Sequence, residues 1–274
     1  MAINDVTLAG SMRSNLVNLQ NVAALQSRTT QRLSTGKRVN NAIDDPSAYF
    51  AAQNATNRAA DLGARKDSMG EAIQTVKAAL QGIDGVTNLI QQAKGLAASA
   101  RSASTADRSS LGTQFDALRG QIDKLASDSG YKGTNFLASG SSLKVDFNEG
   151  GTSSLTISGF DASTGSGGLN VAAAASSWAS DANIDTAVTA LDSALSTLRT
   201  KAQTLSSNNG VVTARQDFTT NMINTLTQGA DQLTAADSNE ESANMLALQT
   251  RQQLGVVALQ LSSQAQSSVM RLFG

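Results

Sequence analysis

Apolar residues in this chain recur in alternating steps of three and four over most of its length, a spacing that dictates helices packed side by side. Met69, Ile73, Val76, Leu80, Ile83 and Ile90 keep the pattern, with Thr87 filling one gap, and Leu111, Phe115, Leu118, Ile122 and Leu125 repeat it. The longest line runs from Ile184 through Val188, Leu191, Leu195, Leu198, Ala202 and Leu205. It continues through Val212, Ile223, Leu226, Ala230 and Leu233, interrupted by polar Asn209, Gln216 and Thr219. Unbroken, that helix is roughly 75 Å long, too long for a rounded domain. The expected fold is therefore mainly α: an elongated antiparallel long-helix coiled-coil bundle.

Both ends carry thinner stripes. Met12, Leu16, Leu19, Ala23 and Leu33 share one face, with Gln26 and Thr30 falling on it. At the other end Leu246, Leu254, Val257, Leu261, Ala265 and Leu272 are spaced near 3.6 residues per turn. Burying five such Leu or Val side chains yields at most about 7 to 15 kcal/mol. Ordering the backbone costs about 1 to 2 kcal/mol per residue. Neither end is expected to hold as a helix alone. Both need partners.

Composition removes most chemistry. No cysteine or histidine is present, which excludes disulfides, thiolate or imidazole metal ligands, and Cys-His or Ser-His-Asp catalysis. The net charge is −1, from 22 acidic and 21 basic residues, and the basic ones are scattered; no nucleic-acid surface is expected. Aromatics make up only 4%, a composition suited to closely packed long helices. No apolar run reaches membrane-spanning length, and Met1–Thr7 has no signal-peptide pattern, so no membrane insertion and no cleaved leader are expected.

Between the helices, Leu143, Val145 and Phe147 alternate with polar residues, Gly150-Gly151 marks a turn, and Leu155 and Ile157 alternate again. This predicts a small β-hairpin excursion within about 134–172, with Gly165-Ser166-Gly167-Gly168 as loop. Asp44-Asp45-Pro46 reads as a helix cap, in preference to paired catalytic carboxylates or a cation site. Glu240-Glu241 reads as a solvated helix start. Lys37-Arg38 reads as a solvated charge on a connector that includes Gly36 and Asn40-Asn41. The glycine spacing at 165–168 is not that of a phosphate loop, and the Asn54-Ala55-Thr56 acceptor triplet falls on a helix. Gly63, Gly70, Gly82, Gly85, Gly120 and Gly255 sit inside helices at about 0.5 to 1 kcal/mol each relative to alanine. Close approach of a neighbour and neutral drift explain them equally well.

Several ordered motifs resemble bacterial flagellin. The run Arg32-Leu33-Ser34-Thr35-Gly36-Lys37-Arg38-Val39-Asn40-Asn41-Ala42-Ile43-Asp44-Asp45 is similar to the family's first connector. Leu16-Val17-Asn18-Leu19-Gln20 resembles the helix before it, and Lys132-Gly133-Thr134-Asn135-Phe136-Leu137 the approach to the hairpin. Ala236-Asp237, Asn244-Met245, Gln252-Gln253-Leu254-Gly255 and the final Leu272-Phe273-Gly274 resemble the family's C-terminal signature. The resemblance covers roughly 1–137 and 184–274, leaving only 138–183 in place of large outer domains.

The resemblance implies a structural subunit that polymerises into the extracellular flagellar filament for swimming, with no catalytic, cofactor or metal site. It implies an inner coiled coil of 1–44 with 237–274 around a channel, inside a long-helix layer of 45–236. Leu16, Leu19, Leu33, Leu246, Leu254, Val257, Leu261, Leu272 and Phe273 are the expected assembly-interface residues. Implied partners are further copies of the chain, an export chaperone, the flagellar type III export apparatus, hook-filament junction proteins and a distal cap. O-linked sugars on Ser and Thr within 139–180 are a further implication. At the segment read by the innate flagellin receptor, the family's Arg-Val-Arg-Glu-Leu-Ala is replaced by Gln92-Ala93-Lys94-Gly95-Leu96-Ala97, so weak or absent receptor activation is expected. The alternatives are a hook-filament junction protein within the family and, outside it, a soluble coiled-coil binding or signalling protein. An enzyme acting in the hairpin region has almost no support.

Overall fold

A computed structural model describes residues 10–273, the side chains of residues 11, 266 and 269–273 excepted. Among the described residues the helices are α1 (Gly10–Thr35), α2 (Pro46–Ser102), α3 (Thr105–Asp128), α4 (Asp181–Thr234) and α5 (Ser238–Phe273). Strands β1 (Ser142–Asp146) and β2 (Ser154–Ser158) lie between α3 and α4. The fold is thus mainly α with a small antiparallel hairpin, as the spacing predicts. The chain forms two compact units, one from Met1–Asn57 with Thr225–Gly274 and the other from Arg58–Asn224.

The central unit buries the predicted heptad lines. Met69, Val76, Ile83 and Ile90 of α2 meet Phe115 and Ile122 of α3 and Ile184, Leu191, Leu198, Leu205 and Val212 of α4 in one core. Each Leu or Ile so buried contributes about 1.5 to 3 kcal/mol. Ala72, Ala79, Ala93, Ala97 and Ala100 are fully buried beside them, and their small side chains allow the helices to pack closely without bulky aromatics. The polar interruptions differ, and the Asn209 Oδ1 is buried with no hydrogen-bond partner among the described residues. Gln216 donates to the Lys66 carbonyl at 3.2 Å, and Thr219 is buried. Lys94–Asp192 (2.5 Å) and Arg101–Asp185 bridge α2 and α4, with both partners displaced by one heptad between the pairs.

The break between α2 and α3 is built from side chains. The Ser104 hydroxyl oxygen accepts from the Asp107 N–H at 3.3 Å and donates to its carboxylate at 2.6 Å, a capping arrangement at the start of α3. Arg108 donates to the carbonyls of Ala103 and Arg101, satisfying acceptors left over at the end of α2.

One face of α3 then holds the excursion that follows the hairpin. Asp116 accepts from the Ala174 N–H (3.0 Å) and Arg119 donates to the Val171 carbonyl (2.7 Å). Asp123 accepts from both the N–H and the hydroxyl of Thr164. Chain 176–178 is left-handed, with φ of 46, 49 and 58° at Ser176, Ser177 and Trp178. The turn delivers Trp178, fully buried, to within 4.9 Å of the Phe115 ring. Left-handed backbone costs roughly 1 to 2 kcal/mol per residue; the buried indole area works against that cost, although its Nε1 has no hydrogen-bond partner among the described residues.

In the hairpin Leu143 pairs with Ile157 and Val145 with Leu155; Val145 and Ile157 enter the core. Gly151 takes the turn position at φ +65°. Outside the strands, Glu149 ties the hairpin end to Arg58 of α2 at 2.6 Å.

Candidate assembly interface

The terminal unit is organised by two connectors that hold each other. Gly36, at φ +67°, ends α1 in the left-handed conformation that glycine adopts without penalty. Beyond it the Arg38 N–H donates to the Thr234 carbonyl (2.7 Å), and the Ala236 N–H donates to the Gly36 carbonyl (2.9 Å). Asp45 accepts from the Ala48 N–H at 3.0 Å and Pro46 opens α2, which is the predicted cap. The Asp44 carboxylate is occupied as well, accepting from the N–H groups of Asn40 and Asn41. Asp237 caps α5 through the N–H groups of Asn239 and Glu240. These bonds set where α1 and α5 leave the connectors, and the two helices pack along each other.

Their contacts run antiparallel. Arg32, late in α1, donates to Glu241, early in α5, at 2.9 Å; Leu19 lies over Gly255 further along. On α1 the less exposed line is Met12, Asn15, Leu19, Val22, Gln26, Thr29 and Leu33. On α5 it is Glu241, Met245, Leu248, Gln252, Gly255 and Leu259. Both lines keep strict steps of three and four. This seam departs from the sequence reading in two places. On α1 it passes through Asn15, Val22 and Thr29 instead of Leu16, Ala23 and Thr30, while Met12, Leu19, Gln26 and Leu33 stay on it, so the inward face is rotated by roughly 50° from the expected one. Glu241 is not solvated either: it is 6% exposed, because Arg32 supplies its counter-charge. Glu240 is exposed, as expected.

The seam leaves the predicted α5 stripe facing outward. Leu246 and Leu261 are 67% exposed, Leu254 64% and Val257 58%, with Leu16 of α1 at 41%. Leu19 and Leu33 lie half-buried within the seam. Leu272 and Phe273 end α5, and their side chains lie outside the described residues. Val17, Leu25 and Val256 are also exposed, and the sequence reading missed them. Both helices thus pack one mixed side within the chain and leave apolar residues exposed outside it. Among the described residues no cluster of three or more acidic side chains is placed to hold a metal ion.

Residues 3–142 match the family model for the bacterial flagellin N-terminal helical region. Flagellin FljM of Caulobacter vibrioides is 33% identical over 277 residues, spanning 100% of both chains. The chain belongs to the bacterial flagellin family. Flagellin FljK of the same organism is 34% identical over 281 residues, again spanning both chains in full, and a Brucella melitensis flagellin is 28% identical over 96% of this chain. A crystal structure of Bacillus cereus flagellin overlays with a TM-score of 0.48 at 16% identity, covering 56% of this chain and 88% of that one. This family member is a structural subunit of the flagellar filament.

In this flagellin the hexapeptide Gln92–Ala97 lies on α2 beside α3. Gln92, Gly95 and Leu96 line a groove of about 540 Å³ with Gln114, Leu118 and Gln121, and no charged side chain lines it. Lys94, the hexapeptide's sole charge, is held by Asp192.

Proposed function

We propose that the paired terminal helices are the surface through which this flagellin polymerises. Leu16, Leu246, Leu254, Val257 and Leu261 dock on neighbouring copies, Leu19 and Leu33 hold the pair together, and Leu272 and Phe273 extend the contact to the chain end. The observation that carries the reading is the outward apolar stripe of α5, left uncovered although its opposite side is already packed on α1. Burying it between copies supplies the free energy that a lone helix pair lacks.

In this reading residues 1–44 with 237–274 form the inner layer of the filament and 45–236 the layer around it, and the protein is not an enzyme. It works outside the cell, delivered by an export chaperone and the type III apparatus, anchored through hook-filament junction proteins and closed by a distal cap. Limited proteolysis combined with electron microscopy tests the reading. Cleavage near Leu16 and Leu261 should be fast in the monomer and at least tenfold slower once filaments are seen. Equal cleavage in both states overturns it.

The uncharged groove at Gln92–Ala97 further supports weak recognition by the flagellin-sensing innate receptor, since no Arg or Glu is left there for charge-assisted bonds. Full potency in a receptor reporter assay would refute this.

A further inference from the structure

The seam between α1 and α5 is a poor ruler. Its α1 line reads Met, Asn, Leu, Val, Gln, Thr, Leu and its α5 line Glu, Met, Leu, Gln, Gly, Leu, so polar and apolar residues alternate irregularly on both sides. Sliding one helix past the other by a heptad, about 10.5 Å, exchanges one mixed contact for another. Apolar burial alone therefore discriminates weakly between registers. Yet the register, together with rotation, decides which residues are turned outward.

We propose that two contacts encode this register: the Arg32–Glu241 ion pair and the seating of Leu19 over Gly255. The proposal rests on the reading of the pair as the polymerisation surface and makes these four residues positioning residues for it. Glu241 is more than nine-tenths buried, and its carboxylate meets Arg32 at 2.9 Å. A heptad slip removes that partner and leaves a buried charge uncompensated, which is far more costly than exchanging Leu for Gln. At the second contact, a Cβ on residue 255 would lie 2.7 Å from Leu19 Cδ2. Slipping in one direction places Leu19 against Leu248 instead, where no such notch exists. The contacts are separated by 13 residues on α1 and 14 on α5, about 20 Å along the pair. Two points that far apart fix both translation and rotation. The ion pair is also adjacent to the connectors, so the register is set where the helices emerge.

The chain has no cysteine, which makes cross-linking clean. Val22 and Gln252 lie on the seam between the two contacts, and a Val22→Cys, Gln252→Cys chain should form a disulfide in the observed register. Val22→Cys with Met245→Cys, or with Leu259→Cys, reports a slip of one heptad in either direction. With Arg32 and Glu241 intact only the first pair should close. Arg32→Glu should raise the slipped products roughly tenfold or abolish all three, and reduce polymerisation in parallel. Arg32→Glu combined with Glu241→Arg should restore the first product alone, together with polymerisation. The proposal is overturned if Arg32→Glu leaves only the first product, or if the charge swap fails to restore it. Should the swap restore the cross-link in a chain that never polymerises through this surface, the register assignment stands and the filament-interface reading falls.

Discussion

Single residues in this flagellin show how one amino acid takes different roles according to what lies opposite. At Gly255 the end of the Leu19 side chain occupies the space a Cβ would take, whereas nothing lies within 4 Å of a Cβ built on Gly120. Gly120→Ala should therefore stabilise the monomer by about 0.5 to 1 kcal/mol in chemical denaturation, the ordinary helix-propensity gain. Gly255→Ala should show no such gain, because Leu19 must move to admit the methyl group. Trp178 is an opposite case, a large side chain for which the backbone bends: its left-handed turn is tolerated because the ring fills the space beside Phe115. Trp178→Ala should cost about 3 to 5 kcal/mol, read by circular dichroism, since the chain's single tryptophan is then gone.

Among the elements, the hairpin is tied to α2 by a contact that responds to acid. The Glu149 carboxylate is held below its usual range, first by its own backbone N–H, then by the hydrogen bond and charge of Arg58. A carboxyl whose folded pKa is depressed contributes fully above its unfolded pKa, and that contribution is lost as pH falls through the folded value. Hydrogen exchange at 148–153 should therefore accelerate relative to β1 and β2 as pH falls below the ordinary carboxylate range, after correction for intrinsic exchange rates. Arg58→Ala should remove most of that acid step. The exposed Lys94–Asp192 and Arg101–Asp185 pairs behave differently: each is worth about 0 to 1 kcal/mol and is screened by salt.

For the molecule as a whole, the proposed polymerisation surface on the terminal pair predicts that folding and polymerisation can be separated. Val257 and Leu261 face away from α1, so charging them leaves the seam intact. Val257→Asp with Leu261→Asp should abolish filament formation, seen by sedimentation and electron microscopy, while shifting monomer stability by less than about 0.5 kcal/mol. Leu248→Asp, inside the seam, should instead lower monomer stability as well. If the Val257→Asp, Leu261→Asp chain polymerises normally, the outward stripe is not the interface.

The heptad lines at 69–90, 111–125 and 184–212 determined α2, α3, α4 and their shared core, because each line meets an apolar partner and burial follows the pattern directly. The alternation of Leu143, Val145, Leu155 and Ile157 likewise determined the hairpin, though not its register, and Asp45-Pro46 determined a helix start. The terminal helices differ in kind. Their residues announced an apolar stripe but not which side faces inward, and Leu16 looked a better seam residue than Asn15. Glu241 looked like an ordinary first-turn acid because its counter-charge, Arg32, stands 209 residues away in the chain. Only the tertiary structure decided these points, since a buried ion pair and a glycine notch are defined by what stands opposite, and local periodicity carries no record of that.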